Sequence, residues 1–224
     1  MSTRNFSEPW EDSDIVFIVE GEEFHAHYTI LKLQSPVFKT MFQEGKFQEG
    51  KSKKVQLPGK GKDAFQLFLR LMYPFNNYDP NILNIGRNII GKVLSYCHEY
   101  EVYSVKDIID LILCVKYSTG YHGKALLLGD LKLCDDNDML KARPHIHQHL
   151  VNSGNFADEA GFNELCGETK FQLVVGLVKK CQDNMDFVVT EKYTASGGKC
   201  MVQRPTTESL CAFTKYALTP PPGY

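Results

Sequence analysis

Three histidines at alternate positions, His145, His147 and His149, form the densest cluster of metal-ligating side chains in the sequence. On a helix His145 and His149 share a face while His147 points elsewhere, so at most two ligands converge where zinc needs three or four. A solvated helix face is the expectation, with no metal and no other cofactor. Tyr96-Cys97-His98-Glu99 sets a thiol beside an imidazole, the pairing that activates a cysteine nucleophile. Adjacent helical residues diverge, however, and Cys97 falls on an apolar stripe, so core packing is expected. Pro58-Gly59-Lys60-Gly61-Lys62 and Gly120-Tyr121-His122-Gly123-Lys124 resemble phosphate loops at a glance. A phosphate loop needs Gly-x-x-x-x-Gly-Lys-Ser/Thr after a buried strand, and residue 125 is Ala. No Gly-x-Ser-x-Gly elbow or His-Glu-x-x-His pair is present either. The chain is therefore not expected to be an enzyme.

Two further motifs could bind rather than react. Lys51, Lys53, Lys54, Lys60 and Lys62 gather in one polar stretch, flanked by Glu44 and Glu49. This is either a nuclear-import or nucleic-acid element, or a solvated loop. At the other end, Pro221-Pro222-Gly223-Tyr224 matches Pro-Pro-x-Tyr, the core of ligands for WW domains. Such ligands dock a pre-extended proline helix at small entropic cost while the Tyr fills its own pocket. A WW-domain protein is thus one candidate partner and an inert tail the alternative.

Composition narrows the field. The 224 residues carry 25 Lys and Arg against 27 Asp and Glu, a formal charge of −2. A generic polyanion binder would be strongly basic, so nucleic acid is not an expected partner. Hydrophobic residues at 43% and charged residues at 23% suit a globular protein. No run approaches the ~18 consecutive apolar residues of a membrane span, and the N-terminal residues lack the apolar stretch of a signal peptide. Seven cysteines, at positions 97, 114, 134, 166, 181, 200 and 211, are odd in number and never closely paired. They read as reduced thiols in a cytoplasmic and/or nuclear protein.

The elements that must position these side chains fall into four blocks. Residues 1–11 are polar and expected to be flexible. From Asp14, the apolar run Ile15-Val16-Phe17-Ile18-Val19, a turn at Glu20-Gly21-Glu22-Glu23, and Phe24-His25-Ala26 predict a hairpin with a buried first strand. Leu31, Leu33, Val37, Phe38, Met41 and Phe42 suit two short helices broken at Ser35-Pro36. Val55-Gln56-Leu57 is a candidate short strand. Helical periodicity then dominates: Phe65 to Met72, Ile82 to Cys97, and Val105 to Leu113 capped by Ser104. A second helical block follows, from Leu126 to Cys134, a segment capped by Asp138, His145 to Leu150, Phe162 with Leu165, and Phe171 to Val178. Beyond residue 183, Val188-Val189 and Cys200-Met201-Val202 are candidate short strands in a C-terminal tail.

Ser13-Asp14-Ile15-Val16-Phe17-Ile18-Val19, Phe24-His25-Ala26-His27, Leu31 with Ser35-Pro36-Val37-Phe38, Met41-Phe42, and Phe65 with Phe68-Leu69 and Met72-Tyr73 together resemble a BTB/POZ domain. The resemblance covers about residues 12–117. The block at 118–183 more weakly resembles a BACK-type helical extension, and 184–224 forms the tail. The resemblance implies an α+β fold, a helical cluster flanked by a short β-sheet and followed by an α-helical extension. It also implies a non-catalytic interaction module that homodimerises, with Asp14, Phe17, His27, Leu31, Leu33 and Phe38 at the interface. Phe17, Leu31, Leu33 and Phe38 exceed what one face of a small hairpin can bury, which favours a two-fold partner over a purely intramolecular core.

Some such domains dock a cullin scaffold of a ubiquitin ligase; others are nuclear and recruit corepressors. For cullin docking the resemblance points to Phe65, Leu67, Tyr73, Tyr96 and Tyr103. The diagnostic apolar-x-Glu motif reads Phe65-Gln66-Leu67 here, without its acid. In corepressor-recruiting members a basic residue follows the Ala-His pair; here Tyr28 stands there. With no zinc finger or basic DNA-reading element in these residues, the expectation is a substrate adaptor of a cullin-RING ligase, with a nuclear BTB transcriptional regulator as the alternative.

Overall fold

The computed structural model describes residues 6–43, 52–73, 80–118, 122–154 and 156–195, without the side chains of 80, 81 and 184–195. Strand β1 (Ile15–Val19) turns into β2 (Glu22–Ala26) through Glu20-Gly21. Both loop residues have positive φ, +49° and +82°, the two-residue turn whose twist matches antiparallel strands and for which glycine is suited. Strand β3 (Lys54–Gln56) joins the other edge of β1 in parallel, giving the order β2-β1-β3. β1 is therefore central, as its doubly apolar sequence predicts. Ile15, Phe17 and Val19 are fully buried.

Helices α1 (Tyr28–Gln34) and α2 (Pro36–Met41) meet at Ser35. Its hydroxyl accepts from Phe38 N–H (2.9 Å), capping α2, and donates to Tyr100 O (2.6 Å). Helices α3 (Lys62–Met72), α4 (Arg87–Glu99) and α5 (Tyr103–Ser118) complete the first half. Its core gathers Phe17, Phe38, Phe65, Phe68 and Leu31 from these layers. Three helices follow: α6 (Lys124–Asp136), α7 (Arg143–Ser153) and α8 (Gly167–Ala195). Among the described residues no helix is long and apolar enough to cross a membrane.

Several expectations are corrected. The N-terminal segment is not loose from residue 6 onward. Phe6 is buried, its carbonyl accepts from His25 N–H (2.7 Å), and Trp10 Nε1 donates to His25 O (3.1 Å). Val188 and Val189 lie in α8, not in a strand. Helical continuation overrides two β-branched residues because the preceding turns already supply the hydrogen-bond ladder. Asp138 does not cap a helix; it takes a φ of +49°, and α7 starts at Arg143 with Pro144 in its first turn. Ser104 lies inside α5 and donates to Gln34 Oε1. Ile82 sits in a 3-10 turn (Pro80–Asn84), and Phe162 ends another (Ala160–Phe162). Cys200-Met201-Val202 lies outside the described residues.

Candidate interaction surfaces

The hairpin and α1 bring Asp14 and His27 together as structural pins. Asp14 Oδ1 accepts from Tyr28 N–H (2.7 Å), tying the start of α1 to the start of β1. His27 Nε2 meets Glu11 O (2.7 Å), and a carbonyl only accepts, so in the neutral ring Nε2 carries the hydrogen. Nδ1 then accepts from the Tyr73 hydroxyl (3.0 Å), whose oxygen accepts from His27 backbone N–H (2.9 Å). Trp10 packs edge-on against the His27 ring, and Phe6 against Tyr73. Burial pushes the Tyr73 phenol up to about 12, with the Asp14 charge adding to the rise and the His27 N–H opposing it.

Of the apolar residues expected at a dimer interface, Phe17, Leu31 and Phe38 are fully buried within one chain. Their expected role as open contacts is corrected. α1, α2 and α3 cover the face that the hairpin alone leaves open, and Phe17 lies 5.1 Å from Phe65 and 5.5 Å from Phe38 between ring centroids. Leu33 is different: it is 77% exposed on α1, and Ile30 of the same helix and Val37 and Met41 of α2 are half-buried.

The cullin-facing set divides the same way. Phe65, Tyr73 and Tyr96 are buried, so they hold helices together rather than meet a partner, and Leu67 reaches the surface only at the floor of a cleft. The Tyr96 oxygen accepts from Gly61 N–H (3.0 Å). Only Tyr103 of the five is presented, 62% exposed at the start of α5. Sequence reasoning missed the exposed Leu111 and Val115, which continue from Tyr103 at helical spacing, and exposed Leu140. The signal was available: Tyr103, Leu111 and Val115 step by multiples of four on α5, away from the stripe of Val105, Ile109 and Leu113. An open cleft also runs between α3 and the stretch that leads into the first turn of α4, lined by Asp63, Gln66, Leu67, Arg70, Ile82, Ile85 and Ile89.

The lysine cluster is not a free cationic surface in its described part. Lys54 pairs with Glu23 (2.6 Å), Lys62 with Glu22 (2.5 Å) and Lys60 with Glu99, while Lys53 lies over the Tyr28 ring. Lys54 holds the Glu23 carboxyl below the usual range, and Glu22 raises Lys62. Lys51 lies outside the described residues.

The three histidines do not converge. His149 Nε2 meets Tyr117 O (2.8 Å), and His147 Nε2 is buried without a hydrogen-bond partner. The expectation of a solvated face is corrected for these two, because α7 packs His147 towards Gly176 of α8 and His149 towards the end of α5. Among the described residues no group of three His, Cys, Asp or Glu side chains is placed to hold a metal. Cys97 is buried, and burial lifts its thiol to about 12, so it remains protonated near neutrality. Pro221, Pro222 and Tyr224 lie outside the described residues.

Two buried carboxylates lock the second half onto the first. Asp110 of α5 accepts from Lys141 N–H (3.0 Å) and Ala142 N–H (2.9 Å), fixing the turn into α7. Asp130 of α6 accepts from Arg87 Nε (2.5 Å) and from the Tyr117 hydroxyl. Tyr117 is pushed to a higher pKa by burial first and by Asp130 second. The arrangement can present a shaped, rigid surface; it holds no reacting constellation among the described residues.

A sequence model of the BTB/POZ domain family matches residues 3–117. The chain is also similar to the mouse TD and POZ domain-containing protein 3, 28% identical over 134 residues, which is 58% of this chain and 35% of that relative.

Proposed function

The chain belongs to the BTB/POZ domain family, and from that premise we propose that it is a non-catalytic interaction module that pairs with a second copy of itself and serves as a cullin-RING ligase adaptor. A BTB/POZ domain marks a protein–protein interaction module; the pairing and the adaptor role are our reading. The observation that carries it is the α1–α2 pair, where the aliphatic Leu33 is 77% exposed and Ile30, Val37 and Met41 on the same two helices are only half covered by the chain itself. A second copy offering the same patch covers all four.

Cullin docking is supported by Tyr103, Leu111 and Val115 on the open side of α5. It is not supported at Leu67, where the diagnostic acid is missing and a leucine lines the cleft instead. The corepressor alternative loses support from Tyr28 in place of a cation and from the paired lysines. Helices α6–α8 act as a BACK-like extension of the platform, and the protein works in the cytoplasm or nucleus. The Pro221-Pro222-Gly223-Tyr224 segment adds a ligand for a WW domain.

The test is the mass of the full chain in light scattering after gel filtration. Wild type runs at twice the 25.5 kDa chain mass, or above it, and Leu33→Asp removes the α1 contact and lowers the mass. An unchanged mass rejects pairing through α1. Capture of a purified third-cullin N-terminal domain, lost with Tyr103→Ala, supports the adaptor role; no capture by wild type rejects it.

A further inference from the structure

One edge of the sheet is closed by a short stretch of chain rather than by a strand. In the order β2-β1-β3, β2 is an outer strand, and an outer strand offers its unpaired N–H and C=O groups to any strand that adds there. At His25 both groups are taken: its N–H donates to Phe6 O (2.7 Å) and its C=O accepts from Trp10 Nε1 (3.1 Å). Residues 6–13 thus form a strap along β2. The strap turns back tightly, with Ser13 N–H on Trp10 O (2.9 Å) and Asp12 at a φ of +61°. Aspartate tolerates that left-handed backbone without favouring it, so contacts outside the turn must hold the strap in place.

Phe6 supplies one such contact, buried edge-on against Tyr73. His27 supplies another, and imidazole is the side chain whose charge changes between pH 5 and 8. In the neutral ring Nε2 donates to Glu11 O (2.7 Å) on the strap, and Nδ1 accepts from the Tyr73 hydroxyl (3.0 Å) at the end of α3. The imidazolium has two donors and no acceptor. Its Nδ1–H points at an oxygen that already accepts from His27 N–H (2.9 Å), and the phenolic hydrogen loses its acceptor. Tyr73 is 1% exposed, and among the described residues its hydroxyl has no hydrogen-bond partner but His27. A buried hydroxyl hydrogen left without an acceptor is destabilising, and turning the ring out relieves it while breaking the bond to Glu11. The charged groups around the ring offer no substitute. Asp14, at the start of β1, accepts from Tyr28 N–H (2.7 Å). Glu11 meets the ring through its carbonyl, its own side chain and that of Asp12 are exposed, and Trp10 lies edge-on with its centroid 4.4 Å away. None of the three carboxylates is hydrogen-bonded to the ring, so none receives Nδ1–H.

We propose that residues 6–13 are a pH-operated guard of the β2 edge with His27 as its latch, closed while the ring is neutral and released when it is protonated. Release frees the N–H and C=O of His25 for an added strand and brings Trp10 into water. The device does not rest on pairing through α1 or on cullin docking.

Trp10 is the one tryptophan of the sequence, so the full chain reports on the strap without a label. On lowering the pH from about 7.5 to about 5.5, its emission should move to longer wavelength and its quenching by iodide should rise. Protection of His25 N–H from hydrogen exchange should fall about tenfold or more, the effect of one lost hydrogen bond, while Val16 N–H, bonded to Lys53 O (2.9 Å), keeps its protection. His27→Gln retains a donor and an acceptor on an uncharged side chain and should hold the strap at both pH values. In wild type the midpoint of release should coincide with that of the His27 ring protons in NMR. The ring of His25 lies beside Glu23 (3.9 Å), and the variant and the midpoint together separate its titration from that of His27. Protection at His25 that does not change with pH overturns the proposal, as does a loss that persists in His27→Gln or has a different midpoint. Quenching of Trp10 at constant wavelength, with His25 still protected, means that the imidazolium stays seated and overturns it too. If Val16 N–H loses protection together with His25, the sheet itself opens in acid and no latch operates.

Discussion

Between β1 and α4 the interior is built from rings, whereas from α6 to α8 it is mostly aliphatic and tied down by carboxylates. Phe38 stacks on Tyr100 at 4.5 Å and sits 5.5 Å from Phe17 and 6.5 Å from Phe68. Leu127, Leu131, Ile146, Leu150 and Leu173 fill the corresponding space in the second half. Of the four buried polar residues described, three (Asp110, Asp130 and Thr169) serve the second half or its junction. Aromatic packing gains area from many directions at once and tolerates small misalignments. A carboxylate does the reverse: buried, it costs free energy unless its donors stand in one geometry. The first half is thus made stable by burial, and the second is made to dock in one register.

The largest way to break that comparison is Phe38→Ala. Its ring meets Phe17 of β1, Phe68 of α3, Phe42 just after α2 and Tyr100 just after α4, so no neighbour collapses into the space. A loss of about 3–5 kcal/mol is expected, read as a lowered urea midpoint. Asp110→Ala should cost less, about 2–3 kcal/mol, because it strips the acceptor from two backbone N–H groups of the α6–α7 turn. Its effect should be local: faster hydrogen exchange at Lys141 and Ala142 with the first half unchanged. Asp110→Asn keeps one acceptor oxygen and should recover part of the loss. Equal exchange throughout the chain would mean that the halves unfold as one unit and that the contrast has no energetic content.

The same contrast explains what was legible in the sequence. β1 could be read from five consecutive apolar residues, and the helix break from Ser35-Pro36, because both are local signals. The family resemblance followed from them. What the surface presents could not be read so well. Phe17, Leu31 and Phe38 look surplus to a hairpin, but α3, which starts only at Lys62, packs over them. Tyr73 and Tyr96 look like contact tyrosines, yet each hydroxyl is held by backbone N–H, at His27 and at Gly61. Nor does the sequence say that Asp110 meets Ala142, because a buried carboxylate and an exposed one have the same letter. Val188-Val189 shows the converse failure, where a β-branched pair is carried along by a helix already propagating.

A smaller effect should sharpen the comparison from the alkaline side. Tyr73 has an ordinary value of 10.0 and is raised to about 12 by burial. The unfolded chain therefore releases this proton near pH 10, while the folded chain holds it until about 12. Stability from Tyr73 is fully present below the unfolded value and is lost as pH rises through that window, by about 3 kcal/mol. Cys97, lifted by burial from 9.0 to about 12, adds a loss that begins lower, near pH 9. Tyr117, raised by burial and by Asp130, acts in the same direction at the junction of the halves. Urea midpoints from about pH 8 to about pH 11 should fall, and Tyr73→Phe should flatten the part above pH 10 while leaving the fall from Cys97 in place. Because Tyr73 belongs to the hairpin pin and Tyr117 to the carboxylate junction, comparing Tyr73→Phe with Tyr117→Phe separates the two regions. If Tyr73→Phe leaves the slope above pH 10 unchanged, its hydroxyl is not sequestered, and the pin through His27 and Glu11 does not hold the start of α1.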